Sequence, residues 1–304
     1  VTGGLSYAVG LPTVGEFGDP GALVELAGAA EAAGWDGVFF WDHLLYREPG
    51  WPVANSTVVA GAAAAITTRI RLGVLINAVA RRRPAQLAAE TATLDALSGG
   101  RAVFGAGLGS YPDEWTRFGA DADPRTRADL LDESLAVIDA LWSGTEVRHH
   151  GARLTVDGAR MPLTPVQRTP AQPAPGQPPR PAQAQEVQAP RPRVPVWIGG
   201  RWPARRPFRR AARWDGVMPT HRDYGSGETM PPATLAEVLR YVAEHRDPAA
   251  APIDVVLEGR TDPGDTTTVA PYAAAGLTWW VEACGWWRGG LAAARARVAA
   301  GPPR

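Results

Sequence analysis

Short apolar runs alternate with longer helix-like patterns from one end of this chain to the other, eight times over. The strand-like runs span Leu5 to Leu11, Asp36 to Trp41, Ile70 to Ala78, Ala102 to Ala106, Val194 to Gly199, Asp215 to Pro219, Ile253 to Glu258 and Thr278 to Glu282. Helical patterns fill the gaps at Pro20 to Ala33, Asn55 to Thr67, Pro84 to Ala96, Thr126 to Trp142, Pro203 to Arg213, Pro232 to His245, Asp265 to Ala275 and Leu291 to Ala300. A strand reached through a helix lies parallel to the one before it, and the crossover is right-handed. Eight such units predict a closed (β/α)8 TIM barrel, with a doubly wound open sheet as the alternative. A length of 304 residues fits one barrel domain covering 1–304.

Local punctuation agrees with these boundaries. Pro20 and Pro84 stand where a first helical turn tolerates proline, and Gly34, Gly276 and Gly301 stand where a left-handed stop is needed. Trp35-Asp36-Gly37-Val38 recurs as Trp214-Asp215-Gly216-Val217 at the second and sixth strands, the spacing of two half-barrels. One segment breaks the rhythm. Residues 165–192, between helix four and strand five, are rich in Pro, Gln and Ala and lack hydrophobic periodicity, which predicts a flexible insertion loop.

With 45% hydrophobic and 20% charged residues the chain can bury a large core. Its 31 basic residues are all arginine and match 31 acidic ones, so neither nucleic acid nor an anionic membrane is implied as a partner. The absence of lysine excludes Schiff-base chemistry and a Walker-type phosphate lysine. A single cysteine, Cys284, rules out an internal disulfide and a thiolate metal cluster, which favours a reducing, cytoplasmic setting. The N-terminal residues carry no targeting signal, and no apolar run reaches membrane-spanning length. The adjacent His149 and His150 do not have zinc-ligand spacing, so no metal is expected.

The second strand is the best place to look for chemistry. Gly34-Trp35-Asp36-Gly37-Val38-Phe39-Phe40-Trp41-Asp42-His43 is an apolar run that stops on an Asp-His pair. A continuous apolar run marks a strand covered on both faces, and its end emerges at the barrel rim where such folds collect their sites. His43 can exchange a proton near neutral pH, although a lone histidine also occurs as ordinary core. Adjacent strand residues point to opposite faces, so Asp42 is expected to hold the turn rather than pair with His43.

Two glycine-rich segments end other strands. Gly105-Ala106-Gly107-Leu108-Gly109-Ser110 lacks the Rossmann spacing and would let a flat ring approach the backbone; a tight turn explains it equally well. Gly199-Gly200-Arg201 precedes a helix start expected at Pro203, an arrangement suited to an anion, or else a turn with solvated arginines. Trp41, Trp197, Trp279 and Trp280 fall in or at the ends of strands, where packing accounts for most of them.

Taken together, the segments resemble the bacterial luciferase-like flavin- and deazaflavin-dependent oxidoreductases. The strongest pieces are Gly34 through His43, Thr68-Arg69-Ile70-Arg71-Leu72-Gly73, and Arg81-Arg82-Arg83-Pro84 with Leu94-Asp95-Ala96-Leu97-Ser98-Gly99-Gly100-Arg101. Further matches are Leu141-Trp142-Ser143-Gly144, Pro195-Val196-Trp197-Ile198-Gly199-Gly200, and Ala211-Ala212-Arg213-Trp214-Asp215-Gly216-Val217.

The resemblance implies a flavin-like ring at the C-terminal mouth of the barrel, over a bulge with a cis peptide near Leu75-Ile76. Leu75, Ile76, Asn77, Gly107, Gly109, Gly199, Gly200 and Arg201 would contact the cofactor, and His43 would be the proton donor or acceptor near the ring. Trp41, Ser110, Tyr111 and Glu282 would meet a small-molecule substrate, with Glu258 a further candidate at its strand end. Leu108 stands where luciferases carry an arginine for the FMN phosphate, which favours coenzyme F-420, the deazaflavin, over FMN. Ser110 stands where the deazaflavin-dependent sugar-phosphate dehydrogenases carry a glutamate, which argues against that particular chemistry.

The expected activity is hydride transfer to or from a small organic substrate. An FMN- and oxygen-dependent monooxygenase and a non-catalytic flavin-binding barrel are the alternatives. A separate reductase supplying reduced cofactor and a homodimeric assembly are the partners the resemblance admits.

Overall fold

In the computed structural model, residues 4–166, 193–223 and 228–304 are described. Eight parallel strands close into a barrel: β1 (Ser6–Leu11), β2 (Gly37–Phe40), β3 (Arg71–Ala78), β4 (Ala102–Gly107), β7 (Val196–Trp202), β8 (Gly216–His221), β9 (Asp254–Gly259) and β10 (Trp279–Ala283). Two intervening strands, β5 (Val147–His150) and β6 (Thr155–Ala159), form an antiparallel hairpin outside the barrel. The helices are α1 (Pro20–Ala32), α2 (Ser56–Ile66), α3 (Pro84–Ser98), α4 (Asp113–Thr116), α5 (Pro124–Leu141), α6 (Arg205–Ala211), α7 (Pro232–His245), α8 (Ala270–Ala274) and α9 (Gly290–Ala299). The closed barrel is therefore present and the doubly wound alternative is not.

Caps place the helices where the sequence marks them. Asp19 accepts the amide hydrogens of Gly21 and Ala22 at the head of α1, and Asn55 accepts that of Val58 in α2. Gly34, Gly276 and Gly301 all have positive φ, between +76° and +106°. One αβ unit and one hairpin differ from expectation. The helix expected from Asp265 begins only at Ala270, because Asp265 instead accepts the amides of Thr267 and Thr268 and holds that stretch as a turn. The β5–β6 hairpin carries no apolar alternation and is mostly exposed, so its pattern is silent in sequence.

Alternation sorts side chains into two cores. Ala8, Phe39, Leu75, Val103, Trp197, Met218, Val256, Trp279 and Val281 fill the barrel lumen. Phe39, Trp197 and Trp279 plug it, with ring centroids 5.3–6.1 Å apart. The opposite strand faces, including Val9, Val38, Phe40, Ile198 and Trp280, pack under the helices.

The repeated Trp-Asp-Gly-Val has one local job at both places. Asp36 accepts the amide hydrogen of Tyr7 at 2.9 Å, and Asp215 that of Val196 at 2.8 Å, each tying down the start of the neighbouring strand. The glycine that follows makes room for a lumen ring: a Cβ at Gly216 would lie 2.1 Å from Trp197. The Pro/Gln/Ala-rich segment expected at 165–192 lies, beyond Pro165 and Val166, outside the described residues. Among the described residues no helix is long and apolar enough to cross a membrane.

Candidate active site at the barrel mouth

The β2 end turns exactly as strand alternation requires, with Trp41 and His43 on one side and Asp42 on the other. Asp42 accepts the amide hydrogen of Ala78 at 3.0 Å and pairs with Arg81 at 2.9 Å. It holds the turn, as expected. His43 faces a residue that sequence reasoning did not single out as its partner: Glu114, on the short helix α4, with Oε1 3.2 Å from His43 Nδ1. The same oxygen accepts the amide hydrogen of Leu44 at 2.6 Å, and Oε2 lies 2.9 Å from Arg81.

His43, Glu114, Arg81 and Asp42 thus form one chain of charges, with only 1% of the Glu114 side chain exposed. Burial works to raise the Glu114 carboxyl. His43, the Leu44 amide and Arg81 outweigh it and hold the group below its ordinary value. With Nδ1 turned to a carboxylate, His43 has Nε2 left for a ligand. Neighbouring Tyr111 was a candidate from sequence, but the pairing of Glu114 with His43 joins positions 71 residues apart and carries no local signal.

The floor of the mouth comes from β3. Its register against β4 shifts between Val74 and Asn77, and the Leu75–Ile76 peptide is cis, as the resemblance implied. The bulge raises Ile76, which is partly exposed, while Leu75 is buried in the lumen. Gly107 and Gly199 flank this ridge. A Cβ at either position would lie 2.7 Å from an Ile76 side-chain carbon, so the glycines seat Ile76 and leave backbone on both sides of it. Asn77 is buried and donates to the Gly105 carbonyl at 2.8 Å, which ties β3 to β4 and turns its amide away from the mouth.

The expected anion turn takes a different form. Gly199, Gly200 and Arg201 lie inside β7, paired with Met218, Pro219 and Thr220 of β8, and the helix begins at Arg205 rather than Pro203. Gly200 is required by packing: a Cβ there would lie 2.6 Å from Pro207. Arg201 is exposed at the strand end. Gly109 has φ +73° and sits against Ala78 and Trp115, where a side chain would not fit.

Aromatic rings wall the other side. Trp41 stacks on Trp287 at 5.5 Å with planes 16° apart, and Trp286 packs edge-on against both. Tyr46 bridges His43, Tyr111, Trp51 and Trp286 at 5.0–6.3 Å. Gly15, Glu16, Trp51, Pro52 and Trp286 line a surface pocket of about 430 Å³ beside this wall. Ser110 is exposed and Tyr111 partly exposed on the loop after β4.

Glu282 is placed elsewhere. As the residue after Val281 it faces outward, fully buried, where it accepts from the Thr261 amide and hydroxyl at 3.0 and 2.5 Å and pairs with Arg288 and Arg297. Both oxygens are engaged within the protein, away from the mouth where a substrate contact was expected. Glu258, one strand along, faces inward. Its Oε1 and the indole nitrogen of Trp287 are buried without a hydrogen-bond partner. Among the described residues no cluster of three or more His, Cys, Asp or Glu is placed to hold a metal.

Comparison with known proteins places this architecture. An F420-dependent glucose-6-phosphate dehydrogenase of Nakamurella multipartita is 35% identical over 156 residues, 50% of this chain and 46% of that protein. The chain thus spans about half the length of the curated relatives it matches first. An uncharacterized protein of Mycobacterium bovis is 27% identical over 243 residues, covering 74% of this chain and 72% of its own.

Among solved structures, an F420-dependent secondary alcohol dehydrogenase in complex with an F420-acetone adduct superposes with a TM-score of 0.69 at 17% identity, over 92% of this chain and 93% of its own. A monooxygenase from Streptomyces bottropensis does so at 0.63 and 20% identity, over 89% and 76%. Those two likenesses show the barrel fold. The luciferase-like monooxygenase family model matches residues 5–298, and the chain belongs to that family.

Proposed function

We propose that the protein is an oxidoreductase that binds coenzyme F-420 at the barrel mouth and uses it for hydride transfer to or from a small organic substrate. The observation that carries this reading is His43, fixed by Glu114 at the edge of a mouth whose floor is the Ile76 ridge. The residues present fit a flat ring system. Ile76 offers an apolar surface, Gly107 and Gly199 offer backbone without side chains, and two buried polar atoms nearby await partners.

Ile76, Leu75 and the two glycines would hold the ring, and the exposed Arg201 would meet an anionic tail. The deazaflavin would supply hydride transfer without ready reaction with oxygen. His43 would hold or move a proton at Nε2, with Glu114 orienting the ring through Nδ1. Trp41, Tyr46 and Trp286 would keep water from the reacting face and orient the substrate. Names of relatives support the deazaflavin: proteins 31–35% identical over half this chain are F420-dependent. Leu108, in place of an arginine, adds to the case against FMN. A separate reductase would keep the cofactor reduced if substrate reduction is the working direction.

Titration with reduced F-420 and with reduced FMN, followed by tryptophan quenching and then oxygen uptake, tests the reading. Tight F-420 binding without oxygen consumption is the expected result. Tight FMN binding with oxygen-dependent turnover would replace it with the monooxygenase alternative, and binding without turnover of any substrate would leave a carrier.

A further inference from the structure

Glu258 is paired with no arginine among the described residues. It follows Val256 by two residues on β9, and Val256 lines the lumen, so the side chain stands on the inward face. It is level with Val281 of β10 and close to Gly10 of β1: a Cβ at Gly10 would lie 2.9 Å from Val281 and 3.7 Å from Oε1 of Glu258. The groups facing it are the Gly10 backbone from β1, Val281 from β10, and Cys284 just beyond, whose thiol burial pushes up to about 12. Thr229 donates to the main-chain carbonyl of Glu258 at 3.3 Å, not to its carboxyl. Oε1 is left buried with no partner. Burial, with no neighbouring charge to offset it, pushes the carboxyl up to about 7.

Its surroundings define what could satisfy it. Glu114 and Glu282, the buried glutamates among the described residues, are each paired with arginine. Arg81 and Arg288, the cations of the inner mouth, are engaged by Asp42 and Glu114 and by Glu282. The stacked Trp41 and Trp287, with Trp286 edge-on, offer a flat apolar wall. A neutral carboxyl donates one hydrogen bond, whereas a phosphate or carboxylate brought beside it would add unpaired negative charge.

We propose that the site selects an uncharged, flat or alicyclic substrate bearing a carbonyl or hydroxyl oxygen, its body against Trp41, Trp286 and Trp287 and its oxygen hydrogen-bonded to Glu258. This deepens the functional reading above and rests on it only for the location of the site. Sugar phosphates and carboxylates are the substrates it excludes.

The test titrates the full chain, with and without F-420, using cyclohexanone, benzoate and glucose 6-phosphate as probes read by tryptophan quenching. Cyclohexanone only accepts hydrogen bonds, so its affinity should fall about tenfold between about pH 6 and about pH 8, the change in neutral fraction of a group titrating near 7. Glu258→Gln keeps a donor and should bind the ketone with that pH dependence removed; Glu258→Leu should bind it several-fold more weakly at the lower pH. Circular dichroism of each variant checks folding. Tighter binding of benzoate or glucose 6-phosphate, pH-independent ketone binding in the wild type, or binding of none of the probes would overturn the proposal. Failure to bind F-420 would count against the cofactor reading alone, because the probes are also titrated in cofactor-free protein.

Discussion

Glu114 Oε1 lies 3.2 Å from His43 Nδ1, so an imidazole at the end of the second barrel strand is oriented by a carboxylate from the loop after the fourth. The same carboxylate pairs with Arg81, which in turn pairs with Asp42, next to His43 in the chain. The loop thereby closes a ring of polar contacts, and rotation of the imidazole would break its bond to Glu114.

His43→Ala should abolish most turnover while sparing cofactor binding. A positioned acid–base group contributes about 100-fold or more to rate, whereas the ridge and glycines that would hold the ring are untouched. Turnover of any substrate the wild type accepts, measured beside F-420 affinity, checks this. Unchanged turnover would remove His43 from the chemistry.

Glu114→Gln should cost stability as well as activity. Arg81 would stay buried with Asp42 as its remaining carboxylate partner, and breaking one side of a buried ion pair costs about 3 kcal/mol or more. Because the folded protein holds the Glu114 carboxyl below its ordinary value, its contribution is present above the ordinary carboxylate range and is lost as pH falls through the lowered value. Urea denaturation across the acid range should show that limb shrink in the variant.

Gly199→Ala should be destabilising by about 1–3 kcal/mol, because its Cβ would lie 2.7 Å from Ile76. Pairing it with Ile76→Ala should recover part of the loss, a coupling that a double-mutant cycle measures directly. Additive costs would show that Ile76 is not what the glycine accommodates.

Glu282→Gln should behave as a structural lesion. The buried carboxylate anchors the partly exposed Arg288 and the buried Arg297, and losing its charge should cost about 3–5 kcal/mol. Ligand affinity of the folded fraction should be unchanged. A selective loss of substrate affinity at wild-type stability would return Glu282 to the site.

Asp95 should give the fold a pH dependence of its own. Burial pushes its carboxyl up to about 6, only partly offset by the amides of Val166 and Ala102. The neutral form is favoured in the fold, so its contribution is full below the ordinary carboxylate value and is lost as pH rises through about 6. Asp95→Asn should flatten stability against pH over that interval in denaturant titrations.

The barrel was legible because its causes are local and repeated. Apolar runs such as Val38-Phe39-Phe40 can only be strands covered on both faces, and Asp19 with Pro20 or Gly34 with its positive φ start and stop helices within a few residues of themselves. The side of β2 on which His43 falls follows from a two-residue period, so its candidacy and the turn-holding role of Asp42 could also be read in advance. What the linear order could not supply was distance between elements. The partnership of Glu114 with His43, the engagement of Glu282 by Thr261, Arg288 and Arg297, and the lack of a hydrogen-bond partner among the described residues at Glu258 Oε1 arise when separate units close into a ring. Composition and periodicity thus determined the eight barrel strands and most of the helices between them. Only closure of the barrel decided which carboxylates are paired, because pairing depends on contacts across tens of residues that no local pattern encodes.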